Sequence, residues 1–213
     1  MPSTVRSIAP MALVAAILLS ACGGGSTPAA SSGGSSPTGS SVGSPSAPAS
    51  ESPIPTEQNP PGDIPDTIAF VPYTSKAGGF TISTPEGWSR TATPSSVTFT
   101  DKLNTILVSW RDVTSPPTIS SVRAQEVVGL QTSERAFTLG SIVSATLPAG
   151  PAVLTTYQAN SEPNAVTGQQ YRLDVQRYSL YHDGTEIVIE LRSPVGSDNV
   201  DPWRIVTQSL AWG

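Results

Sequence analysis

One cysteine and one histidine limit the chemistry this chain can do. Cys22 is the only thiol, so it can act as a nucleophile by itself. It cannot close a disulfide within the chain or build a cysteine zinc or iron–sulfur site. His182, the only imidazole, could serve as a general base or pH switch. It flanks Asp183-Gly184 with no serine or cysteine nucleophile fixed beside it, and reads as a polar residue at a hairpin end. Glu186 and Glu190 stand at i and i+4 of one predicted strand, on one face and about 13 Å apart at strand rise. That exceeds both separations that glycoside hydrolysis uses, and the pair reads as two solvent-facing acids, one of them opposite Arg177. Asp198, Asn199 and Asp201 lack the periodic oxygen ligands of a calcium loop; Asp201 reads as a helix cap. Trp88, Trp110, Trp203 and Trp212 could line a cleft for sugar or lipid, but such residues more often fill a core. The sequence holds no phosphate-cradling glycine loop, metal triad or nucleotide fingerprint. It calls for no catalytic residue, cofactor or metal, and predicts a non-enzyme.

The position of Cys22 gives its sulfur a meaning. Arg6 supplies a short positive start, and Ile8 to Leu19 is an apolar run of twelve residues. A bilayer needs about 20 apolar residues, so this run suits a signal-peptide core instead. Leu19-Ser20-Ala21-Cys22 resembles the bacterial lipobox: an aliphatic residue, two small ones, then cysteine. The resemblance implies that the Cys22 thiol receives a diacylglyceryl group, that residues 1–21 are removed before it, and that the new amine is acylated. Two or three acyl chains anchor stably where one holds marginally. The expected location is the cell membrane, on its extracytoplasmic face.

From Cys22 to residue 65 the chain reads as a tether. Residues 23–65 contain 8 Gly, 11 Ser and 9 Pro, no aromatic residue and no Lys or Arg. Such a segment cannot bury enough apolar surface to offset its conformational entropy, so disorder is expected. A flexible coil of this length spans about 35 Å. Gly39-Ser40-Ser41-Val42-Gly43 matches G-x-S-x-G, but that motif works only on a strand-to-helix turn, and neither element is predicted there. The net charge of −5 argues against a nucleic-acid partner, which needs a cationic surplus to neutralise phosphates.

Residues 66–213 read as one globular domain, with ten Lys or Arg against thirteen Asp or Glu. Runs rich in β-branched and aromatic residues predict strands at 80–83, 97–100, 105–110, 141–147, 152–158, 171–181 and 185–191. Asp183-Gly184 between two alternating runs predicts a type I′ hairpin. Counting outward from it pairs His182 with Thr185, Leu180 with Ile187, Tyr178 with Ile189 and Arg177 with Glu190. One face then carries Leu180, Tyr178, Ile187, Ile189 and Leu191. The other carries Tyr181, Val188, Glu186 and the Arg177–Glu190 pair, which predicts a half-buried ribbon. Over 118–132, Ile119, Val122, Val127 and Leu130 fall within one helical arc. Near the end, Asp201 as N-cap, Pro202 as first helical residue and a Val200/Ile205 staple predict a helix burying Trp203, Val206 and Leu210.

The order of these motifs resembles the Mog1/PsbP/DcrB-like superfamily, in particular actinobacterial-type lipoproteins carrying such a domain. Gly79-Phe80-Thr81-Ile82 leads into Pro85-Glu86-Gly87-Trp88, and Val97-Thr98-Phe99-Thr100-Asp101 precedes a strand ending at Trp110. Gly150-Pro151-Ala152 opens a strand holding Tyr157, and Trp203-Arg204-Ile205 with Ser209-Leu210 closes the chain. The resemblance implies an α+β fold, a central antiparallel sheet flanked by helices, and a role in docking to a protein partner. The expectation is a lipid-anchored envelope domain that docks another envelope protein. The alternative is a carrier of a small hydrophobic or glycan ligand.

Overall fold

A computed structural model describes residues 51–56 and 62–213 of the chain. Leu19, Ser20, Ala21, Cys22 and the Gly39–Gly43 match lie outside the described residues. The fold is α+β. In chain order the elements are β1 (Phe70–Ser75), β2 (Phe80–Pro85), β3 (Ser89–Thr93), β4 (Ser96–Asp101) and β5 (Asn104–Asp112). A helical stretch follows: α1 (Ile119–Ser121), a π-helical segment (Val122–Glu126) and α2 (Val127–Ser133). Then come β6 (Thr138–Leu147), β7 (Gly150–Asn160), β8 (Arg172–His182), β9 (Thr185–Pro194), α3 (Val200–Gln208) and β10 (Ala211–Trp212).

Among the described residues two antiparallel sheets form, one of seven strands in the order β3-β4-β5-β9-β8-β7-β6 and one of three in the order β1-β2-β10. Each run predicted as a strand falls in one of them, except that β8 begins at Arg172 and leaves Tyr171 outside. The β8–β9 hairpin has the register counted from its turn, and Asp183 and Gly184 take φ of 43° and 87°, the positive pair a type I′ turn needs. Sequence periodicity misses β1, β3 and β10. Strand β3 is exposed throughout and has no apolar face, β1 carries Pro72, and β10 has only two residues.

The seven-stranded sheet is covered on both faces. Against its first face pack the small sheet and α3, through Phe80, Ile82, Trp203, Val206 and Leu210, around Val97, Ile106, Val108, Leu180, Ile187, Ile189 and Leu191. Against the second face lies the helical stretch 119–133, with Val122 and Val127 on Ile142 and Val153, and Leu130 on Tyr157, Leu173 and Val175. The predicted half-buried ribbon is therefore buried on both sides.

The helices depart from expectation in two places. The Val127 N–H donates to the Val122 carbonyl five residues back. An ideal α-helix would set those two valines about 140° apart; the wider π turn lets both face the sheet, and Ile119 is left 37% exposed. At the C-terminal helix the cap position is Asn199 rather than Asp201, and its side chain does not cap. Its amide instead accepts from the Ile64 N–H at 2.8 Å and donates to the Gly62 carbonyl at 2.8 Å. Val200 and Ile205 are exposed, so the expected staple does not form.

Packing also begins before residue 66. Ile64 is buried in the first core, and the Gly62 carbonyl accepts from both Asn104 and Asn199. Glu51 accepts from Arg135 at 2.7 Å, Gln170 at 2.7 Å and Asn160 at 3.1 Å. Low hydrophobicity does not predict this order, because hydrogen bonds to the domain supply it. No helix among the described residues is long and apolar enough to cross a membrane.

Candidate functional site

The candidate site lies on the second face, where the helical stretch crosses β5, β9 and β8. Glu190 sits mid-strand on β9 and is 1% exposed. Its carboxylate accepts from Arg177 Nη1 at 3.0 Å, Tyr157 OH at 3.0 Å and Arg192 Nε at 2.7 Å. Arg177 and Arg192 in turn reach the helix. Arg177 Nε donates to Glu126 at 3.0 Å, and Arg192 binds Glu134 through both Nη atoms. Ser179 Oγ donates to Glu126 at 3.1 Å. The network ties helix to sheet by charge-assisted bonds, the strong class of hydrogen bond.

Burial alone would raise the Glu190 carboxyl, but Arg192 and Arg177 beside it, helped by bonds from Arg192 and Tyr157, hold it below the usual carboxylate range. Burial and then the Glu190 charge push the Tyr157 phenol up. Burial would lower Arg177, yet Glu190 and Glu126 keep its guanidinium above its ordinary value. These directions all fix Glu190 as an anion among cations. A catalytic acid needs the opposite, a carboxyl kept protonated near neutral pH.

Next to this network an open cleft of about 720 Å³ separates the helix from β4, β5 and β9, lined among others by Trp110, Arg111, Gln125, Glu126, Arg177 and Glu186. A smaller hollow of about 370 Å³ shares Arg111, Gln125, Glu126 and Glu186 and extends toward Pro116-Pro117. Glu186 is almost fully buried, and Arg111 Nε donates to it at 2.5 Å from the cleft mouth. The π turn ends at Glu126, which places that carboxylate on the cleft wall. π-helical turns recur at functional sites.

The reading of Glu186 and Glu190 as solvent-facing acids is thus overturned. The Arg177–Glu190 pair does form, but under a helix. Val188 between the two acids was the available signal, since Ile187-Val188-Ile189 is apolar on both faces and implies a strand covered twice. Sequence reasoning missed Glu126, Glu134, Tyr157 and Arg192. For the last, its place two residues after Glu190 on the same strand face was a usable hint.

The other candidates scatter. The His182 ring stacks on Trp212 with centroids 4.8 Å apart, and its Nε2 lies 3.4 Å from the Asp183 carboxylate. Asp201 pairs with Arg204 at 2.9 Å on the surface. Trp88 meets Trp203 edge-on and Trp110 meets Phe80 likewise. Trp212 donates to the Ala149 carbonyl at 2.7 Å. Trp110 lines this cleft and Trp88 a separate hollow beside Tyr73 and Phe99, so the four tryptophans do not line one groove. Among the described residues no group of His, Cys, Asp and Glu converges as a metal site would require.

No model of a protein family matches the chain, and no curated protein matches it. Among solved structures it is similar to the cyanobacterial PsbP of Synechocystis sp. PCC 6803, at 15% identity over 71% of this chain and 98% of that one, TM-score 0.49. It is similar to the Ran-binding protein Mog1p of Saccharomyces cerevisiae, at 8% identity over 68% and 96%, TM-score 0.45. It is similar also to LpqN of Mycobacterium tuberculosis, at 14% identity over 68% and 91%, TM-score 0.39. No residue role is carried over from any of them.

Proposed function

We propose that this chain is a lipoprotein anchored through Cys22 at the extracytoplasmic face of the cell membrane, and that its folded domain is a non-enzymatic docking module for another envelope protein. The observation that carries the docking reading is the state of the cleft. Glu126 and Glu186, the carboxylates that line it, are each clamped by a guanidinium, which makes rigid, charge-patterned walls suited to recognition and poorly suited to moving protons. Arg111 and Gln125 stand at the mouth, where they can meet polar groups of a partner. The carrier reading needs an enclosed apolar cavity. The open, charged cleft favours docking.

Mass spectrometry of the mature N-terminus tests the anchor. A diacylglyceryl thioether at Cys22 is expected, with Cys22→Ser released from the membrane fraction; an unmodified thiol overturns it. For the docking surface, a photo-crosslinker at Gln125 is expected to capture one specific envelope protein in cells, and Arg111→Glu to reduce that capture. Equal capture from a crosslinker at exposed Val200 overturns the surface.

A further inference from the structure

We propose that β6 is an edge built to pair with a second copy of this chain, antiparallel about a two-fold axis that passes within residues 142–147. An edge strand presents a row of unpaired N–H and C=O groups, and proteins ordinarily guard such rows with charge, proline or brevity. Three of the four sheet edges among the described residues are guarded. Strand β3 has five residues and carries Arg90, β1 carries Pro72, and β10 has two residues. Strand β6 is ten residues long, TLGSIVSATL, with no charge and no proline.

The irregularity of β6 is confined to its start. The register with β7 shifts between Leu139 and Ile142, then runs evenly from Ile142 opposite Thr155 to Leu147 opposite Gly150. Among the described residues no backbone hydrogen bond from outside the sheet reaches 142–147. Val143 is 44% exposed, and its neighbour across the ladder, Leu154, is only partly buried. The apolar surface of the sheet therefore continues to its open edge.

Unpaired ladder groups call for an extended strand, and the composition of β6 selects which one. In a two-fold antiparallel pair each strand meets its own sequence, so any charge near the axis would face its like and destabilise the pair. Residues 142–147 avoid this completely. A two-fold axis normal to the sheet also keeps faces matched, placing the Val143 and Ala145 side of one copy beside the same side of the other. A strand from a different protein would need no such neutrality, and nothing charged on β6 is available to recognise one.

The test uses the full chain in detergent, with light scattering and sedimentation corrected for bound detergent, up to concentrations on the order of 100 µM. The expected result is a concentration-dependent dimer. Val143→Lys should weaken it at least about tenfold with the thermal melt of the dilute, monomeric chain unchanged, while Val200→Lys, an equally polar change on α3, leaves it intact. A monomer at every concentration overturns the proposal, and so does a Val143→Lys dimer as tight as wild type. Should Val143→Lys fail to fold, amide hydrogen exchange of the unmodified chain decides. Amides of 142–147 must gain protection as concentration rises; exchange independent of concentration overturns the pairing. Capture of an extended peptide by a chain that stays monomeric would overturn it as well and assign the edge to another protein.

Discussion

Ile189 and Glu190 are consecutive residues of β9, almost equally inaccessible, and they face opposite ways. Around Ile189 the first face is apolar throughout, closed by β2 and α3. Around Glu190 the second face carries four carboxylates (Glu126, Glu134, Glu186, Glu190) and three guanidiniums (Arg111, Arg177, Arg192). The difference is one of mechanism. Apolar burial is non-directional and scales with area, so the first face gives stability that tolerates reshaping. Buried charges gain little net free energy when paired and lose much when a partner goes missing. The second face therefore gives a fixed geometry, and the open cleft lies on that face.

Glu190→Ala leaves Arg177, Arg192 and Tyr157 buried around an empty position and should cost about 3–5 kcal/mol in urea unfolding. Its neighbour's Ile189→Val should cost about 0.5–1.5 kcal/mol. Equal costs would show that the charges are hydrated rather than buried. Glu126→Gln should lie between, at about 1–2 kcal/mol. It keeps a hydrogen-bond acceptor and removes the surplus negative charge, while Arg177 retains Glu190.

Acid and alkali sharpen the same contrast. The Glu190 carboxyl is held below its ordinary 4.5. Its stabilising contribution is thus fully present above that pH and is lost as pH falls through the lower folded value. Tyr157 runs the other way. Its phenol is held above its ordinary 10, so that contribution is present below pH 10 and fades as pH rises toward the folded value. Urea midpoints measured across pH should fall at both ends. Glu190→Gln should flatten the acid limb and Tyr157→Phe the alkaline one, whereas Ile189→Val should lower the whole curve without changing its shape.

The first face was far more legible in the sequence than the second. The Asp183-Gly184 turn is a local signal, and one turn fixes every pair along the hairpin, so Leu180, Tyr178, Ile187, Ile189 and Leu191 could be assigned to one apolar surface. Trp203, Val206 and Leu210 followed from a helical period. The second face depends on a helix more than fifty residues away in sequence. Periodicity placed that helix but could not tell that it lies over Glu190, and nothing local distinguishes an acid under a helix from an acid in water. The π turn escaped for a related reason. It satisfies two valines whose spacing is wrong for an α-helix but right for the sheet they meet. Glu51 and Ile64 were hidden because a Pro- and Ser-rich stretch was weighed by composition, whereas hydrogen bonds and one apolar side chain hold it.

An exposed ion pair on α3 behaves differently from the buried ones. Asp201 and Arg204 form an ion pair of the same two group types, carboxylate and guanidinium, at nearly the same distance as Arg177 and Glu190, 2.9 Å against 3.0 Å. Their side chains are 74% and 55% exposed, while Glu190 is 2% exposed. Water solvates either partner when the other is removed, and salt screens what attraction remains. Asp201→Ala should therefore shift stability by about 0.5 kcal/mol or less, and raising the salt concentration should shrink that shift further. The same salt series should leave the Glu190→Ala loss almost unchanged, because no counter-ion reaches a carboxylate under the helix. If both losses fall together with salt, the second face is wet and its charges behave as a surface.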